Sequence, residues 1–197
     1  NTRKYRILIV GDDNNIYNLD KKGKKIKGWK YEKNNKRINK KIQNFSVGNK
    51  DYILAERNNS NTQLLAINGS ERVRFEQGIQ FNENPIRLDK NGTLYAITSE
   101  GKLWRGTLDG NSSQLKLSNL AANSLFAIDE TGKEKQFIYT NNKSIFILNT
   151  NFETIYSFEL ANKITNLVTN NKGLMFTTEN ELYLWNADGV AEGFPIL

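Results

Sequence analysis

The chain has 197 residues, 38% hydrophobic and 25% charged, a balance that fits a folded domain and not a disordered one. It contains no Cys and no His, which excludes disulfides, thiolate nucleophiles and Cys-ligated zinc and removes the commonest general base. No apolar run approaches the roughly 18 residues that a spanning helix requires, and the net charge of +7 is concentrated in one segment.

In chain order, apolar runs come in pairs joined by short polar links. The pairs are "YRILIVG" with "IYNLDKKG" (from Ile16), "DYILAER" with "LLAINGSE" (from Leu64), and "TLYAITS" with "LWRGTLDG" (from Leu103). They continue with "KQFIYTN" and "IFILNTNF" (from Ile145), then "GLMFTTE" and "LYLWNADG" (from Leu182). Short runs rich in β-branched and aromatic residues, bounded by Asn, Ser, Glu or Gly, predict β-hairpins. A third run precedes the hairpin in four of the five units: "IQNFSVG", "PIRLDKN", "SLFAIDE" and "ITNLVTN". A fourth follows it: "IKGWKYE", "RVRFEQG", "QLKLSNL", "TIYSFEL" and "GFPIL". The hairpins recur at steps of 48, 39, 42 and 37 residues, which predicts four-stranded meanders at 1–37, 38–82, 83–119, 120–160 and 161–197. The first lacks its innermost strand. Residues 117–128, "LSNLAANSLFAI", have weak helical spacing and are read as a loop entering a strand.

The second and third strands carry apolar residues at adjacent positions, as in Ile7–Val10 and Ile145–Leu148. Strict alternation marks one buried face, whereas continuous apolarity marks two, as in a blade stacked between neighbours. The expected fold is therefore all-β, a β-propeller of about five four-stranded blades. A β-sandwich or β-solenoid with accidental periodicity is the alternative. The order of apolar pair, Asp or Asn, Gly, then an outer Gly-aromatic in "IYNLDKKGKKIKGW" and "LYLWNADGVAEGFP" resembles quinoprotein-type (PQQ-like) and WD40-like propeller repeats. It is also similar to propellers in large cell-envelope proteins of Gram-negative bacteria. The Trp of PQQ-like repeats is matched approximately by Trp29, with Phe194 in its place in the last unit, and WD dipeptides are absent. The resemblance implies architecture more than activity, together with a periplasmic or envelope location. Asp20 and Asp188 are expected in turns, and Gly23, Gly28, Gly189 and Gly193 are expected to supply positive φ or close packing. Since the chain opens at Asn1 directly in a second strand, we expect a five-unit piece of a larger protein, nearly closed or paired with itself. An unclosed stack would leave an apolar blade face open to association.

Residues 21–41 depart from the repeat. They hold eleven Lys/Arg against one acid, Glu32, so the remainder of the chain is net negative. Lys21, Lys22, Lys24, Lys25, Lys27, Lys30, Lys33, Lys36 and Arg37, with Trp29 and Tyr31 among them, form a candidate patch for nucleic acid, an anionic polymer or an anionic membrane surface. The plainer reading is a solvated outer strand and loop with Trp29 packed on its blade. "DKNG" at Asp89 and "DETG" at Asp129 lack the twelve-residue calcium loop and are read as turns. A hydrolase without His or Cys would need paired carboxylates, for which Glu56, Asp89, Glu100, Glu130 and Glu179 are candidates. No cofactor is expected. The favoured function is a non-catalytic protein-binding or scaffolding module of an envelope protein, with self-association through an open blade edge as a further option. Binding of anionic polymers through residues 21–41 comes second, and a carbohydrate-active enzyme last.

Overall fold

The structure is a computed structural model that describes residues 5–33, 38, 42–56, 62–75, 78–170, 172–186 and 189–197. The described residues are all-β, with no helix. Strands pair in chain order as antiparallel meanders, four of them four-stranded and one two-stranded.

Two compact units are present. The first comprises Asn1–Gln80, Asn91–Thr93 and Gly106–Ser112. Its first blade is the hairpin of β1 (Ile7–Val10) and β2 (Ile16–Leu19). The second blade runs β3 (Gln43–Val47), β4 (Lys50–Ala55), β5 (Gln63–Ala66) and β6 (Glu71–Arg74). Ile16, Ile38, Ile53, Ala55 and Leu65 form the core, with Leu8, Val10, Trp29 and Tyr31 packed at its margin.

The second unit comprises Phe81–Lys90, Leu94–Arg105 and Ser113–Leu197. The third blade consists of β7 (Arg87–Leu88), β8 (Leu94–Ile97), β9 (Leu103–Gly106) and β10 (Ser112–Leu115). The fourth runs β11 (Phe126–Asp129), β12 (Gln136–Asn141), β13 (Ser144–Leu148) and β14 (Thr154–Glu159). The fifth runs β15 (Asn166–Asn170), β16 (Gly173–Thr177), β17 (Leu182–Asn186) and β18 (Gly189–Val190). Tyr95, Phe126, Phe137 and Tyr139 belong to one core cluster, and Ile138, Ile145, Leu174 and Phe176 to another.

Burial follows the repeat logic inside the molecule. β5 and β8 are buried at every position, as strands covered on both faces must be. The outer strands β10 and β14 are mostly exposed. Residues 117–125 form a non-helical connection, as expected, and the Tyr139 hydroxyl ties it down by donating to the Ser118 carbonyl (2.6 Å).

The turn between the third and fourth strands is the most faithful repeat. In four blades the N–H of its first residue (Asp20, Ala66, Thr107 or Asn149) donates to the carbonyl four residues on. The N–H three residues on returns a bond to that first residue's carbonyl. The returning residue has positive φ each time: Gly23, Gly69, Gly110 and Phe152. This is a tight turn closed by a left-handed residue, which suits Gly. Asp20 reinforces it by accepting from the amides of Lys22 (2.8 Å) and Lys24 (3.0 Å), and Asn149 does the same for Asn151 and Glu153. Gly23, Gly28, Gly189 and Gly193 all have positive φ. Asp188 lies outside the described residues.

The structure differs from the sequence reading in three places. "IKGWKYE" is not an outer strand: a single bridge, Leu19 to Lys25, continues the first hairpin. The fourth strand of the last unit is Gly189–Val190, and "GFPIL" adds only a bridge from Leu182 to Ile196. Finally, the apolar run Ile7–Val10 has one covered face, not two. Leu8 and Val10 meet the core, while Ile7 and Ile9 are 44% and 45% exposed.

Candidate functional site

Residues 21–33 of the basic segment are chain without regular strand, laid against the turn between β5 and β6 of the second blade. Lys30 N–H donates to the Asn68 carbonyl (2.7 Å), and the Trp29 indole N–H donates to the Ile16 carbonyl (2.7 Å). The Trp29 ring lies over Gly69, where a Cβ would come within 2.8 Å of ring carbon Cε3, so only glycine admits the ring. Tyr31 stacks beside Trp29 at 6.4 Å. Trp29 is thus half-buried and committed to packing. Lys21, Lys22, Lys24, Lys25, Lys27, Lys30 and Lys33 are all exposed. Lys36 and Arg37 lie outside the described residues.

Two of these lysines, Lys25 and Lys33, border the open face of the first hairpin. Antiparallel pairing places Ile7 opposite Leu19 and Ile9 opposite Tyr17, so the four side chains share one face. Lys25 Nζ sits 5.2 Å above the Tyr17 ring, a cation–π contact. The Tyr17 hydroxyl donates to Asp13 (2.8 Å), and Lys33 stands 4.0 Å from the same carboxylate. That hydroxyl bond is the main cause holding the Asp13 carboxyl below its usual range, and it raises Tyr17 in turn. Tyr5, 70% exposed, precedes β1. The result is an apolar stripe with lysines on its rim. A cleft of ≈ 420 Å³ at the second blade is lined by Lys30, Tyr31, Lys33, Gln63, Glu71 and Arg74. Arg74 is already neutralised there by a forked pair with Glu71 (2.7 Å and 3.0 Å).

The candidate carboxylates have varied surroundings. Glu56 is buried, Glu100 pairs with Lys102 (2.7 Å), Glu130 accepts from the Lys90 amide (2.9 Å), and Glu179 is exposed. Asp129 caps its own turn through the Thr131 amide (2.9 Å). Asp89 is more than a turn residue: its side chain is fully buried and meets Lys135 Nζ at 2.7 Å. Lys135 also lies over the rings of Tyr95 (5.4 Å) and Phe137 (5.0 Å). Burial pulls the Lys135 pKa down, but the hydrogen bonds and charges of Asp89 and Tyr95 together outweigh it, so the net shift is upward. Sequence reasoning missed this pair because its members are 46 residues apart and meet only through blade packing. Among the described residues, no group of three or more Asp or Glu is placed to hold a metal ion.

Meanders of this kind define a β-propeller, and solved structures agree. The chain is similar to BamB from Moraxella catarrhalis, with a TM-score of 0.62 and 13% identity over 95% of this chain and 57% of that one. It is similar to BBS1N, solved in complex with ARL6DN, with a TM-score of 0.63 and 14% identity over 89% of this chain and 59% of that one. A third likeness is to catalytically inactive virginiamycin B lyase from Staphylococcus aureus, solved with quinupristin. Its TM-score is 0.63 at 15% identity, over 96% of this chain and 72% of that one. The chain spans less than two thirds of the BamB and BBS1N chains. Identities this low establish the fold and not the activity. No protein-family model and no curated protein matches the sequence.

Proposed function

We propose that the chain is a non-catalytic protein-binding module of a bacterial envelope protein, and that its docking surface is the open face of the first hairpin. The observation that carries this reading is the stripe of Ile7 and Ile9, nearly half exposed on a strand that pairs only with β2 among the described residues. Apolar side chains at the centre and charges at the rim are the anatomy of an interaction surface. The rim lysines select the occupant. Two copies of this face would bring like charges together, whereas an acidic partner with apolar anchors is complementary. An unpaired strand edge suits a partner segment in extended conformation. The complex of BBS1N with ARL6DN supports the reading as a precedent on a similar fold.

A second reading, binding of anionic polymers by the lysines alone, is favoured by their exposure. Selection of displayed peptides on the purified domain separates the two. The first reading predicts enrichment of acidic sequences with alternating apolar residues, lost against Ile7→Lys/Ile9→Lys. Selection of acidic sequences without apolar anchors, unaffected by that variant, would favour the second.

A further inference from the structure

We propose that the wedge between the fourth and fifth blades is a binding site for a neutral saccharide. It is an opening of ≈ 560 Å³, within the roughly 300–1,000 Å³ range of small-molecule sites. Its inner walls are apolar. Ile138, Ile147 and Tyr156 form one cross-strand row of the fourth blade, and Leu174 and Trp185 are partners in the fifth. Gly173 keeps one wall low, because a Cβ there would lie 2.3 Å from the Trp185 carbonyl oxygen and no larger residue fits.

Tyr156 is 48% exposed, which is unusual for a ring in such a place. Its centroid is 5.5 Å from that of Trp185 at an interplanar angle of 40°. Trp185 in turn stacks on Phe158 at 4.4 Å and 12°. The aromatic surface is therefore backed and fixed before any ligand arrives. Around it stand Glu134, Gln136 and Lys172, with Asp129 already engaged in its own turn.

The rim chooses the chemistry. Lys172 opposes a cationic ligand, and Asp129 with Glu134 opposes an anionic one. Carboxylate, amide, phenol and ammonium together offer both donors and acceptors around one opening. A pyranose matches both demands: one face of its ring presents C–H groups to an aromatic plane, and its edge presents closely spaced hydroxyls. Because the wedge lies in the second compact unit, the proposal does not depend on the docking face of the first hairpin.

The test is isothermal titration of the purified chain with a panel of neutral sugars: glucose, galactose, N-acetylglucosamine, maltose, cellobiose, lactose and diacetylchitobiose. Arginine methyl ester and glucose 6-phosphate serve as charged comparators. At least one neutral sugar should bind with Kd of about 1 mM or tighter. Tyr156→Ala should weaken that binding about tenfold or more at unchanged circular dichroism, while Tyr156→Phe retains most of it. Should Tyr156→Ala misfold, Gln136→Leu provides the same comparison from the rim. No binding by any neutral sugar at about 10 mM, or binding of arginine methyl ester in their place, would overturn the proposal. Sugar binding insensitive to both Tyr156→Ala and Gln136→Leu would overturn it equally.

Discussion

The first and fourth blades begin from the same local instruction and end in different environments. Each has two apolar runs, and each closes its later turn with a left-handed residue, Gly23 in one and Phe152 in the other. The turns bring Asn18 of the first blade into the position of Ile147 in the fourth. Ile147 contributes to a core cluster. Asn18 is 2% exposed, and neither its amide oxygen nor its amide nitrogen has a hydrogen-bond partner among the described residues. The fourth blade adds a strand on each side of its hairpin, whereas the first ends in one bridge and a lysine-rich loop. An apolar run is therefore necessary for a two-faced strand but not sufficient, because burial depends on what the chain places against each face.

The largest contrast should appear in stability. Phe137, buried and stacked on Phe152 at 4.6 Å, should cost about 3–5 kcal/mol when cut to Ala. Ile9→Ala in the first blade should cost under about 1 kcal/mol, since much of the side chain already meets water. Urea denaturation of both variants checks this, and equal losses would erase the distinction.

The Asp89–Lys135 pair comes next. Asp89→Ala strands a largely buried ammonium and should cost about 3 kcal/mol, most of which Asp89→Ala/Lys135→Met should restore. Lys135 has a raised pKa in the folded state. Its contribution is complete below the ordinary lysine value of 10.5 and disappears as pH climbs through the raised one. Thermal unfolding from neutral to strongly alkaline pH should show the wild type losing this increment while the double variant does not.

Asn18 gives a smaller effect of opposite sign. Asn18→Val removes from a buried site two polar atoms that have no partner among the described residues, and should raise stability by about 1 kcal/mol. A loss of stability would mean that the amide has a role the hairpin geometry does not explain. The smallest expected change is that of Lys24→Gln/Lys25→Gln/Lys27→Gln, within about 0.5 kcal/mol of wild type because all three are exposed.

Much of the fold was legible in the sequence because blade cores are written in local signals. Adjacent apolar residues such as Ile145–Leu148 and the turns opening at Asp20, Thr107 and Asn149 each declare themselves within about five residues. The candidate surface was less so. Residues 26–32, "IKGWKYE", read as an outer strand with Trp29 packed on its own blade, but the Trp29 ring lies over Gly69 of the second blade, forty residues distant, and strand pairing ends. The exposure of Ile7 and Ile9 was hidden for a related reason: whether a blade face is covered depends on residues elsewhere in the chain. The Tyr156–Trp185 wedge joins side chains of two blades, and no spacing rule within one blade brings them together.

The most direct test of the docking surface takes the best acidic peptide from selection and measures its affinity at about 50 and 200 mM salt. The wild type, Ile7→Lys/Ile9→Lys and the triple lysine variant are compared. A protein-docking face predicts that the isoleucine variant abolishes binding at both salt concentrations, while the lysine variant weakens it several-fold, mainly at low salt. Binding that survives the isoleucine changes and vanishes with the lysines would contradict that account and leave a polyanion site in its place.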